Sequence, residues 1–155
     1  LGAPGGCPGP GCTKHFRRKT AILRETRFSI GEEFLEEGPR RVEAAADDKA
    51  ALAALVDWHV SFALAHKALI VVQDRDWSAL PVEAREKVRS TQLAYVEVWV
   101  DVLRSLHGRL SREQARARVH AGFGLINSTP HSALLPDARM RELLSQMAVA
   151  ALGIS

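Results

Sequence analysis

Apolar side chains recur at spacings of three and four residues along most of the chain, which is typical of amphipathic helices. The pattern predicts an all-α fold with helices over residues 20–37, 47–66, 67–73, 82–107, 111–126 and 136–152. Two segments are ambiguous on periodicity alone, because residues 68–72 form a short apolar run and valines alternate over 96–102. We assign both to helices, since the first has no predicted partner strand and no breaker interrupts the long segment around the second.

The second predicted helix, residues 47–66, is apolar on most sides. Only Asp57 and Ser61 leave a narrow polar strip, so we expect neighbouring helices to bury this helix at the centre of the domain. Its histidines, His59 and His66, are interpreted as hydrogen-bonded or half-exposed residues rather than as metal ligands.

Capping and breaking residues mark several helix ends. Gly38 and Pro39 are predicted to stop the first helix, and Ser111 with Gln114 forms a capping box at the start of the fifth. Residues 74–81 are predicted to form a loop that carries a tryptophan, Trp77, and the 82–107 helix is predicted to be the longest.

The last two long helices carry features that favour close packing. Gly122 and Gly124 lie in the middle of the fifth helix, where they are expected to let another helix approach. The last helix has an apolar seam made of Met140, Leu143, Leu144, Met147 and Ala151. Physical reasoning leaves open whether this seam is buried within the chain or against a second copy.

Composition indicates an ordinary globular domain, with 46% hydrophobic and 25% charged residues. The net charge of +3 is mild and fits a single basic patch, formed by Lys14, Arg17, Arg18, Lys19, Arg24 and Arg27. We find no apolar run of membrane-spanning length and no leader with a cleavage site, so a cytoplasmic protein without a membrane partner is expected.

Enzymatic and metal sites are not predicted. The chain lacks a Gly-rich phosphate loop, a Gly-x-Ser-x-Gly motif and a His-Glu-x-x-His motif, so we expect no catalysis and no cofactor. Cys7, Cys12 and His15 supply three possible zinc ligands, but no fourth follows at useful spacing, so no metal site is assigned.

A short motif near the start of the chain resembles a known family. The segment from Lys14 onward is similar to the end of the DNA-binding unit of TetR-type transcriptional repressors, where Leu-Tyr-x-His-Phe closes the recognition helix and a lysine begins the next helix. The matching residues are His15, Phe16, Lys19, Ile22 and Leu23. Cys12 and Thr13 depart from the pattern, since they occupy the leucine and tyrosine places.

The resemblance implies a multi-helix bundle of the TetR-repressor type, in which the last two helices of two subunits form a four-helix dimer interface. Residues 1–19 would be a remnant of the helix-turn-helix unit, and residues 20–155 the ligand-binding and dimerisation domain. Lys14, His15 and Lys19 would contact operator DNA, and Phe16 would pack the DNA-binding unit against the first long helix.

The resemblance also implies an effector pocket among the middle helices, for a small apolar or aromatic molecule. The candidate lining residues are Trp58, Phe62, Trp77, Gln92, Tyr95, Trp99, Phe123 and Asn127. They combine apolar surface with a few polar anchors, as ligand pockets do, although each aromatic side chain is also suited to a plain core. The implied function is a ligand-responsive repressor that acts as a homodimer. The alternative is a ligand-binding and dimerisation module without DNA binding.

The glycine- and proline-rich start of the chain, residues 1–13, is not expected to hold a helix. One hypothesis is a shifted reading frame, because reading two nucleotides later permits Leu-Tyr in the places of Cys12 and Thr13. A disordered end or linker is the alternative.

Overall fold

The structure, a computed structural model, describes residues 10–75, 77–132 and 134–153, without the side chains of residues 10, 12–13, 15–16, 19–20, 23–28, 30, 34 and 72–74. All secondary structure in these residues is helical, which confirms the predicted all-α fold. The helices are α1 (Pro10–Ala44), α2 (Asp48–Ala65), α3 (Lys67–Arg75), α4 (Val82–Leu106), α5 (Arg112–Asn127), α6 (Thr129–Ser132) and α7 (Asp137–Ala151), with a 3-10 turn at Trp77–Ala79.

The central position predicted for α2 is confirmed. Asp47 caps the helix by accepting a hydrogen bond from the amide of Ala50 at 2.7 Å. Leu52 and Leu55 are fully buried, and α1, α4, α5 and α7 all contact the helix. Burial of each leucine contributes roughly 2 kcal/mol, so α2 is the hydrophobic centre of the domain.

Two glycines let α1 lie directly on α4. A Cβ atom at Gly31 would be 3.0 Å from Cγ2 of Thr91, and one at Gly38 would be 3.4 Å from the ring of Tyr95. The contacts advance in the same direction along both helices, so α1 and α4 run parallel here. A larger side chain at either glycine would push the helices apart.

The predicted stop at Gly38 and Pro39 is wrong, because α1 continues to Ala44. Pro39 lies inside the helix and removes the amide hydrogen that would bond to the carbonyl of Leu35. The turns around Pro39 are held by Glu37, whose carboxylate pairs with two arginines at 3.3 Å, Arg40 and Arg41.

The extent of α1 towards the start of the chain and its length also differ from the prediction. Residues 10–13 are helical, and the described part of α1, with 35 residues, is longer than α4 with 25. Expectations for residues 1–9 lie outside the described residues, and the expected domain boundary at 19/20 falls within α1.

The remaining elements follow the prediction closely. The short helix after His66 is present as α3, and Trp77 lies in the 3-10 turn before α4. The capping box is confirmed, since Oγ of Ser111 accepts from the amide of Gln114 at 3.1 Å and Oε1 of Gln114 accepts from the amide of Ser111 at 3.0 Å. The predicted break after α5 is present, and a one-turn helix, α6, follows it.

The close packing expected at both glycines of α5 occurs at one of them. A Cβ at Gly122 would be 3.4 Å from Leu152, whereas a Cβ at Gly124 would meet nothing within 4 Å in the described chain. The seam of α7 is likewise divided. Met140 and Leu144 are buried within the chain. Leu143, Met147 and Ala151 are exposed.

Candidate functional site

His59 lies at the centre of the domain and is 4% exposed. Its Nε2 atom lies 3.1 Å from Oδ1 of Asn127, and its Nδ1 atom lies 3.2 Å from the hydroxyl of Tyr95. Because an amide oxygen only accepts, Nε2 carries the hydrogen and Nδ1 accepts from the Tyr95 hydroxyl. The three side chains thus form one hydrogen-bonded chain across α5, α2 and α4.

Burial keeps the hydrogen-bonded side chains of His59 and Tyr95 neutral. It lowers the pKa of His59 to about 4, and the hydrogen bond with Asn127 partly opposes that shift. Burial also raises the pKa of Tyr95 above its usual range, against the opposing effects of Trp99 and of the charge on Arg41. At neutral pH the centre of the domain therefore offers uncharged hydrogen-bonding groups.

Aromatic rings surround His59 and form, with it, what we call the aromatic cluster: His59, Tyr95, Trp99 and Phe123. The Phe123 ring stacks on His59 with centroids 4.5 Å apart and on Tyr95 at 5.5 Å, and Trp99 meets Phe123 edge-on at 5.0 Å. Tyr95 and Trp99 are four residues apart on α4, as are Phe123 and Asn127 on α5, so each pair shares one helix face.

Trp99 carries a buried polar atom that lacks a hydrogen bond. The residue is 1% exposed, and within the described chain its Nε1 atom has no partner of normal hydrogen-bond geometry. Trp99 still lowers the pKa of Tyr95 through side-chain hydrogen bonding, although the contact falls outside normal hydrogen-bond geometry. A buried donor without an acceptor costs about 1–3 kcal/mol, so Nε1 is a position that a ligand oxygen would satisfy.

The aromatic cluster also reaches α1. The hydroxyl of Tyr95 bonds to His59, and the ring of the same residue lies against Gly38. Three residues further along α1, the guanidinium carbon of Arg41 lies 4.8 Å from the centroid of the Trp58 ring on α2. Helix α1 is therefore in direct contact with the residues around the cluster.

The predicted pocket residues are only partly brought together. Tyr95, Trp99, Phe123 and Asn127 converge on His59, as the preceding distances show. Phe62 is buried and faces His66 at 4.4 Å, and Trp58 is half-buried. Trp77 is half-buried in the 3-10 turn, and Gln92 is exposed on α4.

His59 is hydrogen-bonded, as the sequence predicted, but it was not among the predicted pocket residues. The only available signal was its position on an otherwise apolar helix, next to Val60 and four residues after Leu55. A polar side chain on a buried face needs partners, and the residues that provide them lie 36 and 68 positions away.

A network of ion pairs fixes α5 against α4. Arg116 donates from Nε to Glu97 at 2.5 Å, and Arg112 pairs with both Glu97 and Asp101. The hydrogen bond from Arg116 is the main cause of a lowered pKa at Glu97. The network lies on the surface and positions the helix that carries Phe123 and Asn127.

The basic end of α1 is exposed where the structure describes it. Lys14, Arg17 and Arg18 are exposed, and with Gly11 they line a shallow open depression. The side chains of His15, Phe16, Lys19, Arg24 and Arg27 lie outside the described residues.

The described part of the chain has neither a metal-binding cluster nor a membrane-spanning helix. No group of three or more His, Cys, Asp and Glu side chains is placed to hold a metal ion. No helix combines the length and the apolar character needed to cross a bilayer.

Comparison with known proteins identifies two similarities. Residues 45–131 match the sequence family described as tetracyclin repressor-like, C-terminal domain, and this range contains the whole aromatic cluster. The fold is similar to the crystal structure of a TetR-family transcriptional regulator from Bordetella parapertussis 12822, with a TM-score of 0.72 and 22% identity over 84% of this chain and 71% of that chain. No curated protein matches the sequence.

Proposed function

Because this chain belongs to the TetR-type family of transcriptional regulators, we propose that it is a ligand-responsive repressor that binds operator DNA as a homodimer and releases it when an effector binds beside His59. The observation that carries the proposal is the position of Tyr95, which contacts both His59 and Gly38 of α1. Regulators of this family are generally not enzymes, and the proposal includes no catalytic step or cofactor.

The effector is proposed to be small, uncharged and largely aromatic, with one hydrogen-bond acceptor. Stacked rings at Tyr95 and Phe123 suit an aromatic ligand, and Nε1 of Trp99 supplies a donor that has no described acceptor. A charged ligand would lose its hydration in this buried region without an opposite charge from neutral His59.

Binding is proposed to act on DNA through α1. A ligand shifts an equilibrium only if it prefers one of two arrangements, and a change in the Tyr95 ring alters the surface on which Gly38 rests. Arg41 on Trp58 provides a second contact on the same side. An effector that binds one arrangement about 100-fold more tightly shifts the equilibrium by roughly 2.7 kcal/mol.

The DNA contact is proposed to include the basic start of α1. Lys14 is exposed beside Arg17 and Arg18, and the resemblance assigns phosphate contacts to His15 and Lys19 as well. Residues 1–19 are accordingly proposed to belong to the DNA-binding unit and residues 20–155 to the effector-binding and dimerisation domain. A cytoplasmic location follows from this role.

The dimer interface is proposed to lie on α5 and α7. Leu143 and Met147 expose 41% and 47% of their surfaces on α7, and Gly124 of α5 has open space beside it. Exposed apolar side chains on a long terminal helix support burial against a second copy.

DNA binding is tested by selecting duplexes from a random library with the natural protein that contains this chain, then measuring affinity against salt. A repressor loses affinity steeply as salt rises, with a log–log slope of about 0.9 per phosphate contact. Replacing Lys14 and Arg18 by alanine should flatten this slope, whereas Arg139→Ala, an exposed cation on α7, should not. Failure to select any sequence would favour the alternative, a ligand-binding dimer without DNA binding.

Effector binding is tested by a thermal-shift screen of small aromatic compounds with and without a hydrogen-bond acceptor. Trp99→Phe removes the Nε1 donor and keeps a buried ring, so it should weaken binding of the acceptor-bearing compounds alone. Equal loss for both sets would remove Nε1 from the site.

A further inference from the structure

A second cleft lies at the end of the domain where α4 ends, α5 begins and α7 ends. It has a volume of about 440 Å³ and is lined by His107, Gly108, Arg109, Leu110, Arg118 and Gly153. We propose that this cleft binds a small organic oxyanion, that is, a carboxylate or phosphate group on a short apolar body. The site is separate from the aromatic cluster and does not depend on the function proposed above.

The guanidinium of Arg118 occupies the place that a side chain at position 153 would take, and the ring of His107 lies beside it. A Cβ atom at Gly153 would lie 2.4 Å from Nη1 of Arg118 and 3.8 Å from Nε2 of His107. Both nitrogens therefore lie on the side of Gly153 where any other residue would carry its side chain. Gly153 has φ of 81°, a left-handed conformation that favours glycine in any case.

Both donors have hydrogen-bonding capacity left over. The described contact of Arg118 is a long one, 3.5 Å from Nη1 to the carbonyl of Leu152, and no described carboxylate pairs with this guanidinium. Nε2 of His107 is buried and has no hydrogen-bond partner within the described chain. An oxyanion beside them would accept from the planar guanidinium, which suits two oxygens at once, and from Nε2 of His107 in the tautomer that carries its hydrogen there.

The electrostatic surroundings favour an anion in spite of two helix C-termini. Such termini repel anions through their free carbonyls, but here amides already bond to them: His107 to Leu103 at 2.9 Å, and Gly153 to Ala150 at 3.0 Å. Among the described residues, the lining contains the cations Arg109 and Arg118, and the nearest carboxylate, Glu113, interacts with Arg116 and Arg104. Arg104 adds a further positive charge beside the cleft, since its Nε donates to the carbonyl of Leu110 at 3.2 Å.

The size of the cleft and one wall indicate that the anion has an organic part. The cleft is open to solvent and has a volume of about 440 Å³, so an anion bound there has room for an organic part. Leu110 is half-buried, packs against the hydrophobic core and forms an apolar wall. The site thus combines charge-assisted donors with a small apolar surface, as ligand sites commonly do.

The test is a ¹H–¹⁵N NMR titration of the purified chain with inorganic phosphate and with phenyl phosphate, at constant ionic strength. We expect saturable shifts at Gly108, Leu110 and Gly153, and tighter binding of phenyl phosphate by about fivefold, because the ring buries apolar surface. Equal affinity for the two anions, or shifts confined to the aromatic cluster or to the basic end of α1, would overturn the proposal.

Variants identify the donors. Arg118→Gln should weaken both anions about tenfold, since it removes one charge-assisted contact. Arg89→Gln, a matched change at an exposed arginine of α4 outside the cleft, should leave both affinities unchanged. Arg109→Gln serves if Arg118→Gln fails to fold, as checked by circular dichroism. Wild-type affinity in the folded cleft variants, or an equal loss in Arg89→Gln, would refute the site.

Discussion

The Nε2 atom of His59 donates to Oδ1 of Asn127 across 3.1 Å. These residues are 68 positions apart in the chain, and their hydrogen bond joins α2 to α5. This bond fixes the tautomer of His59, which leaves Nδ1 to accept from Tyr95. The ring of Tyr95 in turn lies against Gly38, so a continuous series of contacts runs from α5 to α1, the helix that carries the basic end. A change at any of these side chains is therefore expected to affect both stability and the position of α1.

Stability should fall on acidification because of His59. Burial lowers its pKa from 6.5 to about 4, so between these values the unfolded chain binds more protons than the folded chain. The free energy of unfolding should thus decrease as pH falls through this window, by roughly 3 kcal/mol in all. Urea denaturation at several pH values measures the effect.

The matched variants for this experiment are His59→Phe and His131→Gln. His59→Phe keeps a ring at the site and removes the titrating group, so its stability should depend less on pH than that of the wild type. His131 is exposed, so its replacement should retain the wild-type dependence. An identical pH dependence in His59→Phe and the wild type would contradict the assignment.

Loss of the Tyr95 hydroxyl should destabilise the domain without disturbing its rings. Tyr95→Phe leaves Nδ1 of His59 as a buried acceptor without its donor, at a cost of about 1–3 kcal/mol. The contact of the ring with Gly38 remains, so α1 should keep its helix content by circular dichroism. A stability equal to that of the wild type in denaturant titration would show that Tyr95 does not donate to His59.

Two glycines of α5 should gain different amounts of stability on replacement by alanine. Gly124→Ala meets nothing within 4 Å in the described chain, so it should stabilise an isolated subunit by about 0.5–1 kcal/mol through helix propensity. Gly122→Ala should gain less, because its Cβ would press on Leu152 at 3.4 Å. Thermal unfolding measures both, and a weaker dimer in Gly124→Ala would place that glycine in the interface.

Introduction of a charge on the exposed side of α7 should separate the proposed dimer. Met147 is 47% exposed, so Met147→Glu should leave the subunit folded while it places a charge in the apolar interface. Light scattering should report half the mass of the wild type. Gln146→Glu adds the same charge at the neighbouring exposed residue and should retain the dimer, and an unchanged mass in Met147→Glu would move the interface elsewhere.

The sequence predicted the helices well because their apolar spacing is a local property. It failed at Pro39, because the continuation of α1 past a proline depends on how this helix packs against α4 and α2, which is not a local property. The pairs Tyr95 with Trp99 and Phe123 with Asn127 were predictable as residues that share a helix face. Their meeting at His59 was not, because it depends on how three helices pack together, which no local pattern contains.

The glycine contacts of α1 have a mechanical consequence. Helix α1 is continuous over 35 residues, and Gly38, where it rests on Tyr95, is close to one end. At a rise of about 1.5 Å per residue, roughly 42 Å of helix extends from that contact to Pro10. A tilt of about 5° at Tyr95 would thus carry the far end through roughly 4 Å, more than a hydrogen bond tolerates. A small displacement of α1 at the Tyr95 ring would thus become several-fold larger at its basic end, provided that the second contact, Gly31 on Thr91, moves with it.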